Sequence, residues 1–327
     1  MRRLIIAVIV SSAGLFAVLS LTTFSEIQTT LQAMAPLSMA TFFLAYLLVN
    51  YARSVRFSAL VGGEAIKSMS LFPATLAHNG LTQVVPFRLG ELTWPFLLRQ
   101  CFGRPVSHGL SSLLSARLMD LLAVVLFGGT ALLVLRFRES MDTTISTVAL
   151  TALMLAALVV LIRGGTLIRF AQRMLSAVLP ALPAKLGPLY DRMMVVADEA
   201  AAHLEDVART NAIMRAALAT CLVYGGTVFC QAIVLVGVGV ETAILTMAVM
   251  VSLVLMTSWI PLSISGFGIV EGSWTLVLVY VADVDVGRAA ATAIALRVLQ
   301  LIAAMVTGLV GLAVIYARHY ALQRKEQ

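Results

Sequence analysis

Pro86-Phe87-Arg88-Leu89-Gly90-Glu91 interrupts an apolar run from 64 to 102, and Pro261, followed by Gly266-Phe267-Gly268-Ile269-Val270-Glu271, interrupts another from 243 to 283. Each run is long enough to enter a hydrocarbon layer and leave it again, since one spanning helix needs only about 20 mostly apolar residues. Pro86 and Pro261 end the incoming helices, because proline removes a donor and crowds the preceding turn. Gly90, Gly266 and Gly268 permit the tight turns that follow. Both stretches read as helix, break, helix, dipping into the membrane and returning to the same side. Irregular backbone at that depth is tolerated only where it is buried in protein or lines a watery cavity. The two breaks are therefore the first candidates for a functional centre.

The rest of the chain agrees with a bilayer setting. Of its 327 residues 60% are hydrophobic and 12% charged, where soluble domains carry roughly 45–50% apolar and about 25% charged residues. That balance excludes a soluble catalytic domain, a disordered chain and a disulfide-stapled secreted module. Cys101, Cys221 and Cys230 are scattered in apolar runs and read as small core residues. Six further stretches read as complete spans: 4–21, 37–57, 109–135, 143–162, 212–238 and 289–317. The fold class is thus all-α, a polytopic helical membrane protein with six spanning helices plus two re-entrant broken-helix hairpins. Residues 1–327 form a single integral membrane domain.

Orientation follows from basic residues, which concentrate in short cytoplasmic loops. With both termini inside, the cytoplasmic segments hold Arg2, Arg3, Arg53, Arg56, Lys67, Arg99, Arg104 and the basic residues of 163–215, while only Arg136, Arg138 and Arg288 fall outside. The segment 163–211 is basic in its first half, and in its second half apolar residues recur at helical spacing with acids between them. It reads as a cytoplasmic amphipathic helical hairpin lying on the membrane surface, or as a docking site for a partner or anionic lipid.

Sliding the sequence against itself by 180 residues sets Phe87 on Phe267, Glu91 on Glu271, Trp94 on Trp274, Arg117 on Arg297 and Gly128 on Gly308. The spacing from Glu91 to Arg117 and from Glu271 to Arg297 is 26 residues in both places. An internal repeat is expected, with halves at about 37–135 and 212–317. Three spans separate the hairpins, an odd number, so the second copy is expected to be inverted and the two breaks to meet near the midplane. Inverted repeats with discontinuous helices are common in secondary transporters, which bind substrate at the repeat interface.

Six ionisable groups fall at membrane depth: Arg88, Glu91, Arg117, Asp120, Glu271 and Arg297. Each costs something like 3 kcal/mol on insertion scales unless paired. Arg117 and Asp120 stand at i,i+3 on one helix face, and each hairpin glutamate is expected to reach an arginine. Those pairs can be purely structural, or the arginines can also take an anionic group together with the free N–H groups at the helix start after each break. Glu91 and Glu271 read either as caps of those helix starts or as coupling groups. His78 and Asn79, just before the first break, are buried hydrogen-bonders or substrate contacts. Metalloprotease, metal-dependent transferase, nucleophile-turn and phosphate-loop motifs are absent, so no metal, cofactor or catalytic residue is expected.

Asn79 through Pro86-Phe-Arg88-Leu-Gly90-Glu91, then Arg117-Leu-Met-Asp120, then Pro261 through Gly266-Phe-Gly268-Ile-Val-Glu271, and finally Arg297 together resemble the lysylphosphatidylglycerol synthase transmembrane family, also described as flippase-like. The likeness covers nearly all the chain. It implies a protein of the bacterial inner membrane that moves an anionic phospholipid or lipid-linked headgroup, a phospholipid or glycolipid, between leaflets. It points to Asn79, Arg88, Arg117 and Arg297 as substrate contacts and to Glu91, Asp120 and Glu271 as coupling or structural ion pairs. Many relatives have a glycine where this chain has Ser265. Synthesis is not expected of this chain, and neither is binding of nucleic acid. The other reading is a non-transporting subunit that anchors or presents lipid to a separate cytosolic or membrane enzyme.

Overall fold

In the computed structural model, the described residues are 2–61, 66–138, 211–257 and 266–326, with isolated helical positions between 148 and 206. Every element among them is helical. Helix α1 spans Arg2–Leu19, α2 Phe24–Gln32 and α3 Pro36–Leu60. The first broken stretch consists of α4, Ser68–Val84, a tight 3-10 segment, Pro86–Leu92, and α5, Thr93–Phe102. Helix α6, Val106–Ala123, passes through a wide π turn, Val124–Gly129, into α7, Thr130–Arg138. Then come α8, Ala212–Gly237, α9, Ile244–Thr257, α10, Ile269–Tyr280, and α11, Val286–Glu326.

By length and composition, 106–135, 212–237 and 286–318 can cross a membrane, and α3 adds a fourth if it is joined to α2, from which it bends by 85°. Six spans are therefore more than the described residues support. The expected span at 143–162 lies largely outside them, and so does most of the segment 163–211. Within that segment, Arg169 pairs with Glu205 at 3.2 Å and Gln172 donates to the carbonyl of Met194 at 3.1 Å.

Helix α2 was not expected. It starts at a capping box, in which Glu26 accepts from the Thr23 N–H at 2.7 Å and the Thr23 hydroxyl accepts from the Glu26 N–H at 3.3 Å. That reciprocal cap satisfies two orphan donors and starts a helix in a stretch too polar to read as a span.

Packing relies on small residues, as it must where lipid is as apolar as the helices themselves. Helix α3 lies against α8, α4 against α11, and α9 against the π turn and α7. At the crossing of α4 and α11, a Cβ on Gly80 would come within 2.8 Å of the Gly308 Cα, and one on Gly311 within 2.4 Å of the Pro73 carbonyl oxygen. At the crossing of α9 and the π turn, Gly128 abuts the Ser252 side chain. That hydroxyl meets the Tyr224 hydroxyl at 2.5 Å, and Tyr224 donates to the carbonyl of Ala248 at 2.7 Å. Turns of π geometry are often found at functional sites; this one falls four residues after Asp120.

Candidate functional site

The first break is a continuation of helix rather than a gap. Pro86 occupies the first turn of the 3-10 segment, which runs straight into α5, and the Thr93 N–H bonds back to the carbonyls of Glu91 and Gly90. The segment folds tightly onto α4. A Cβ on Gly90 would lie 2.6 Å from the Thr82 Cα and 2.8 Å from the Leu81 carbonyl oxygen, so only glycine fits there. His78 reaches across this contact to the Thr93 hydroxyl at 2.9 Å, and Thr93 donates to the Gly90 carbonyl at 2.6 Å. Behind them the Trp94 ring stacks on Phe57 at 3.9 Å between centroids, and its N–H donates to Ser112 at 3.0 Å.

The second break leads into α10 through Gly266 and Gly268, with φ of 79° and 80°. The Ile269 and Val270 N–H groups are taken by the Gly266 carbonyl at 3.1 and 3.0 Å, and the Gly268 N–H by Glu271 Oε2 at 2.8 Å. Neither helix start thus keeps all the free donors that an anion would use, which corrects the expectation that helix N-termini hold the ligand. The chain satisfies those groups itself, because unpaired N–H groups at this depth cost more than a local cap.

The charged side chains are tied into two groups. In the first, Arg117 holds Glu91 through two contacts, Nη2 to Oε1 at 2.9 Å and Nε to Oε2 at 3.2 Å, and reaches Asp120 Oδ2 through Nη1 at 3.4 Å. The other oxygen of Asp120 accepts from Arg56, so one carboxylate joins α3 to α6. In the second group Arg297 Nε stands 3.2 Å from Glu271 Oε1, and the Arg297 guanidinium lies 5.1 Å from the centre of the Phe267 ring. The glutamate and arginine spaced 26 residues apart are thus paired in both halves. Glu271 both caps α10 and neutralises Arg297.

These groups surround a cavity of about 200 Å³, walled by Arg53, Arg56, Asn79, Glu91, Arg117, Asp120 and Arg297 among others. Asn79 reaches the wall but donates to Asn50 Oδ1, whose own amide donates to the Tyr46 carbonyl at 2.8 Å. The structure thus brings Asn79, Glu91, Arg117, Asp120, Gly266 and Arg297 to one place. The side chains of Pro86 and Arg88, and all of Pro261, lie outside the described residues.

Two wall residues correct the sequence reading, which assigned Arg53 and Arg56 to a cytoplasmic loop. Both belong to α3, and Arg56 is buried because Asp120 neutralises it there. Arg53 differs from the other three guanidinium groups on the wall. Among the described residues it makes no hydrogen bond and has no carboxylate at ion-pairing distance. Four guanidinium groups therefore meet three carboxylates, Glu91, Asp120 and Glu271, and the described site carries one surplus positive charge. An unpaired charge held away from bulk water is costly. A bound anion would remove that cost, and guanidinium suits phosphate in particular because its fork of donors matches two oxygens at once.

The helices, their small-residue packing and the charged cavity define a multi-pass helical membrane protein. The chain belongs to the family described as the lysylphosphatidylglycerol synthase TM region, whose model matches residues 4–308. No curated relative and no solved structure matches it.

Proposed function

We propose that this chain translocates an anionic phospholipid or lipid-linked headgroup between the leaflets of the bacterial inner membrane. The observation that carries the reading is the surplus guanidinium of Arg53 on the wall of a cavity whose other arginines are already paired. A headgroup phosphate would complete the charge balance there while the acyl chains stay in lipid. On this reading the chain moves lipid and performs no synthesis.

The architecture proposed for this task is an inverted repeat of two hairpins entering from opposite faces, with both termini cytoplasmic. Element order supports it: α3, α4, α5 and the α6–α7 helix recur as α8, α9, α10 and α11. Packing supports it further, because the exchange is reciprocal. Helix α3 packs on its counterpart α8, while each hairpin's first helix, α4 or α9, packs on the last helix of the other half. Gly128 and Gly308, matched by the 180-residue shift, lie at those two reciprocal crossings. Rocking of one half against the other would then expose the cavity to each leaflet in turn.

Liposomes holding the purified chain and a trace of headgroup-labelled lipid test the proposal. Wild type is expected to move an anionic lipid faster than a zwitterionic one, and Arg53→Gln to slow the anionic lipid by about tenfold or more, as loss of a hydrogen bond to a charged group implies. If wild type and Arg53→Gln move every lipid equally slowly, transport is excluded, and anchoring or presenting lipid to a separate enzyme takes its place.

A further inference from the structure

Arg53, Thr227 and Gln300 face a second, smaller cavity of about 40 Å³ on their far side, and Gln231 and Trp274 also line it. Trp274 is 2% exposed and Gln231 5% exposed. Neither the indole N–H of Trp274 nor the amide oxygen of Gln231 has a hydrogen-bond partner among the described residues. Buried polar groups are nearly always paired, so two orphans in one small cavity need an explanation.

The first half of the chain shows that the orphaned donor is not forced by the fold. There the matching Trp94 donates to the Ser112 hydroxyl at 3.0 Å. The 180-residue shift sets Trp274 on Trp94 and Thr292 on Ser112, so an acceptor stands at the corresponding position of the second half. The bond is nevertheless not made, and Thr292 Oγ1 is also buried without a partner. The second half gives up a hydrogen bond that the first half keeps, and the indole borders the small cavity instead.

The cavity offers one donor, on Trp274, and one acceptor, on Gln231. A group that fills it must accept and donate at once, and a hydroxyl does both. The volume suits a group of that size. We infer that the Trp274–Gln231 cavity is a subsite for a hydroxyl group on the headgroup of the anionic lipid, placed one step beyond the phosphate held at Arg53. The inference rests on the proposed transport reading and narrows it: the ligand is an anionic lipid whose headgroup carries a hydroxyl, as glycerol, inositol or sugar headgroups do. A lipid of equal charge without that hydroxyl fills the phosphate position and leaves both orphans unpaired.

The test compares phosphatidylglycerol with phosphatidylmethanol, phosphodiesters of the same charge with and without headgroup hydroxyls, as competitors for binding to the purified full chain. Wild type is expected to prefer phosphatidylglycerol by about tenfold, the scale set by leaving buried polar groups unsatisfied. Trp274→Phe, which keeps the ring and deletes the N–H, and Gln231→Leu, which deletes the acceptor, are each expected to bring that ratio close to one. Binding of phosphatidylmethanol in the same samples reports that each variant is folded. A wild type that binds both lipids alike, or variants that keep the wild-type ratio, would overturn the subsite and leave the cavity to water. A wild type that binds neither lipid would overturn the transport reading and the subsite together.

Discussion

Replacing Arg297 by methionine is expected to destabilise the folded protein by about 3–5 kcal/mol, the range for breaking a buried ion pair from one side. Methionine keeps most of the side-chain volume, so the loss is electrostatic rather than a cavity effect. Arg297 is 4% exposed and Glu271 1% exposed. Without the guanidinium, Glu271 keeps the Gly268 N–H at 2.8 Å but has no cation to offset its desolvation. The contact between the guanidinium and the Phe267 ring, at 5.1 Å, is lost as well. Combining Arg297→Met with Glu271→Gln removes the stranded charge and is expected to recover much of the loss, since neutral groups of similar shape are tolerated where a lone ion is not. Denaturant or thermal unfolding in one detergent checks both statements. A double variant as unstable as the single one would refute the electrostatic account. Arg117→Met is expected to cost less, because that side chain is 31% exposed and solvent screens the change.

The second large effect is at Gly268. Its φ of 80° lies in the region where a Cβ crowds the backbone, and a Cβ there would stand 2.6 Å from the Cα and carbonyl carbon of Gly14. Those atoms are main chain of α1, so no rotamer change relieves the contact. Strain at the turn adds about 1–2 kcal/mol and forced separation of the packed segments about 1–3 kcal/mol. Gly268→Ala is therefore expected to lose several kcal/mol and to loosen α1 from α10. Gly103→Ala is the comparison that separates the two causes. Gly103 also has positive φ, 65°, but nothing lies within 4 Å of its Cβ position. It should show only the conformational part. Equal losses at the two sites in unfolding measurements would mean that the close approach of α1 contributes nothing.

The helical membrane class was legible from composition, and the breaks from Pro86, Gly90, Gly266 and Gly268, because proline and glycine act through local backbone geometry that sequence states directly. The pairing of Glu91 with Arg117 and of Glu271 with Arg297 was legible because equal spacing repeats in the two halves. Arg53 and Arg56 were misread for a physical reason. The 180-residue shift sets them on Ile233 and Val236, so they have no charged counterpart in the second half, and a search guided by the repeat passes over them. The signal was nonetheless present in Asn50, Arg53 and Arg56, polar residues three apart along an apolar helix. Whether an arginine near a helix end faces a loop or the interior depends on Asp120, a residue distant in sequence. Helix α2 escaped notice because a nine-residue helix made by a capping box leaves little trace in hydropathy. The self-capping of α10 by Glu271 was one of two readings of that residue, and only the geometry of the turn shows which donor it takes.

The reach of the proposed mechanism depends on hairpins inserted from opposite faces, so that one cavity can open to either leaflet. In a background with Cys101, Cys221 and Cys230 replaced, single cysteines introduced by Pro105→Cys and Val286→Cys mark the exits of the two hairpins, both exposed positions. Labelling with a membrane-impermeant thiol reagent in oriented vesicles is predicted to reach the first only from the cytoplasmic side and the second only from the opposite side. Labelling of both from one side would contradict the inverted arrangement, and with it the alternating access on which transport of a headgroup depends.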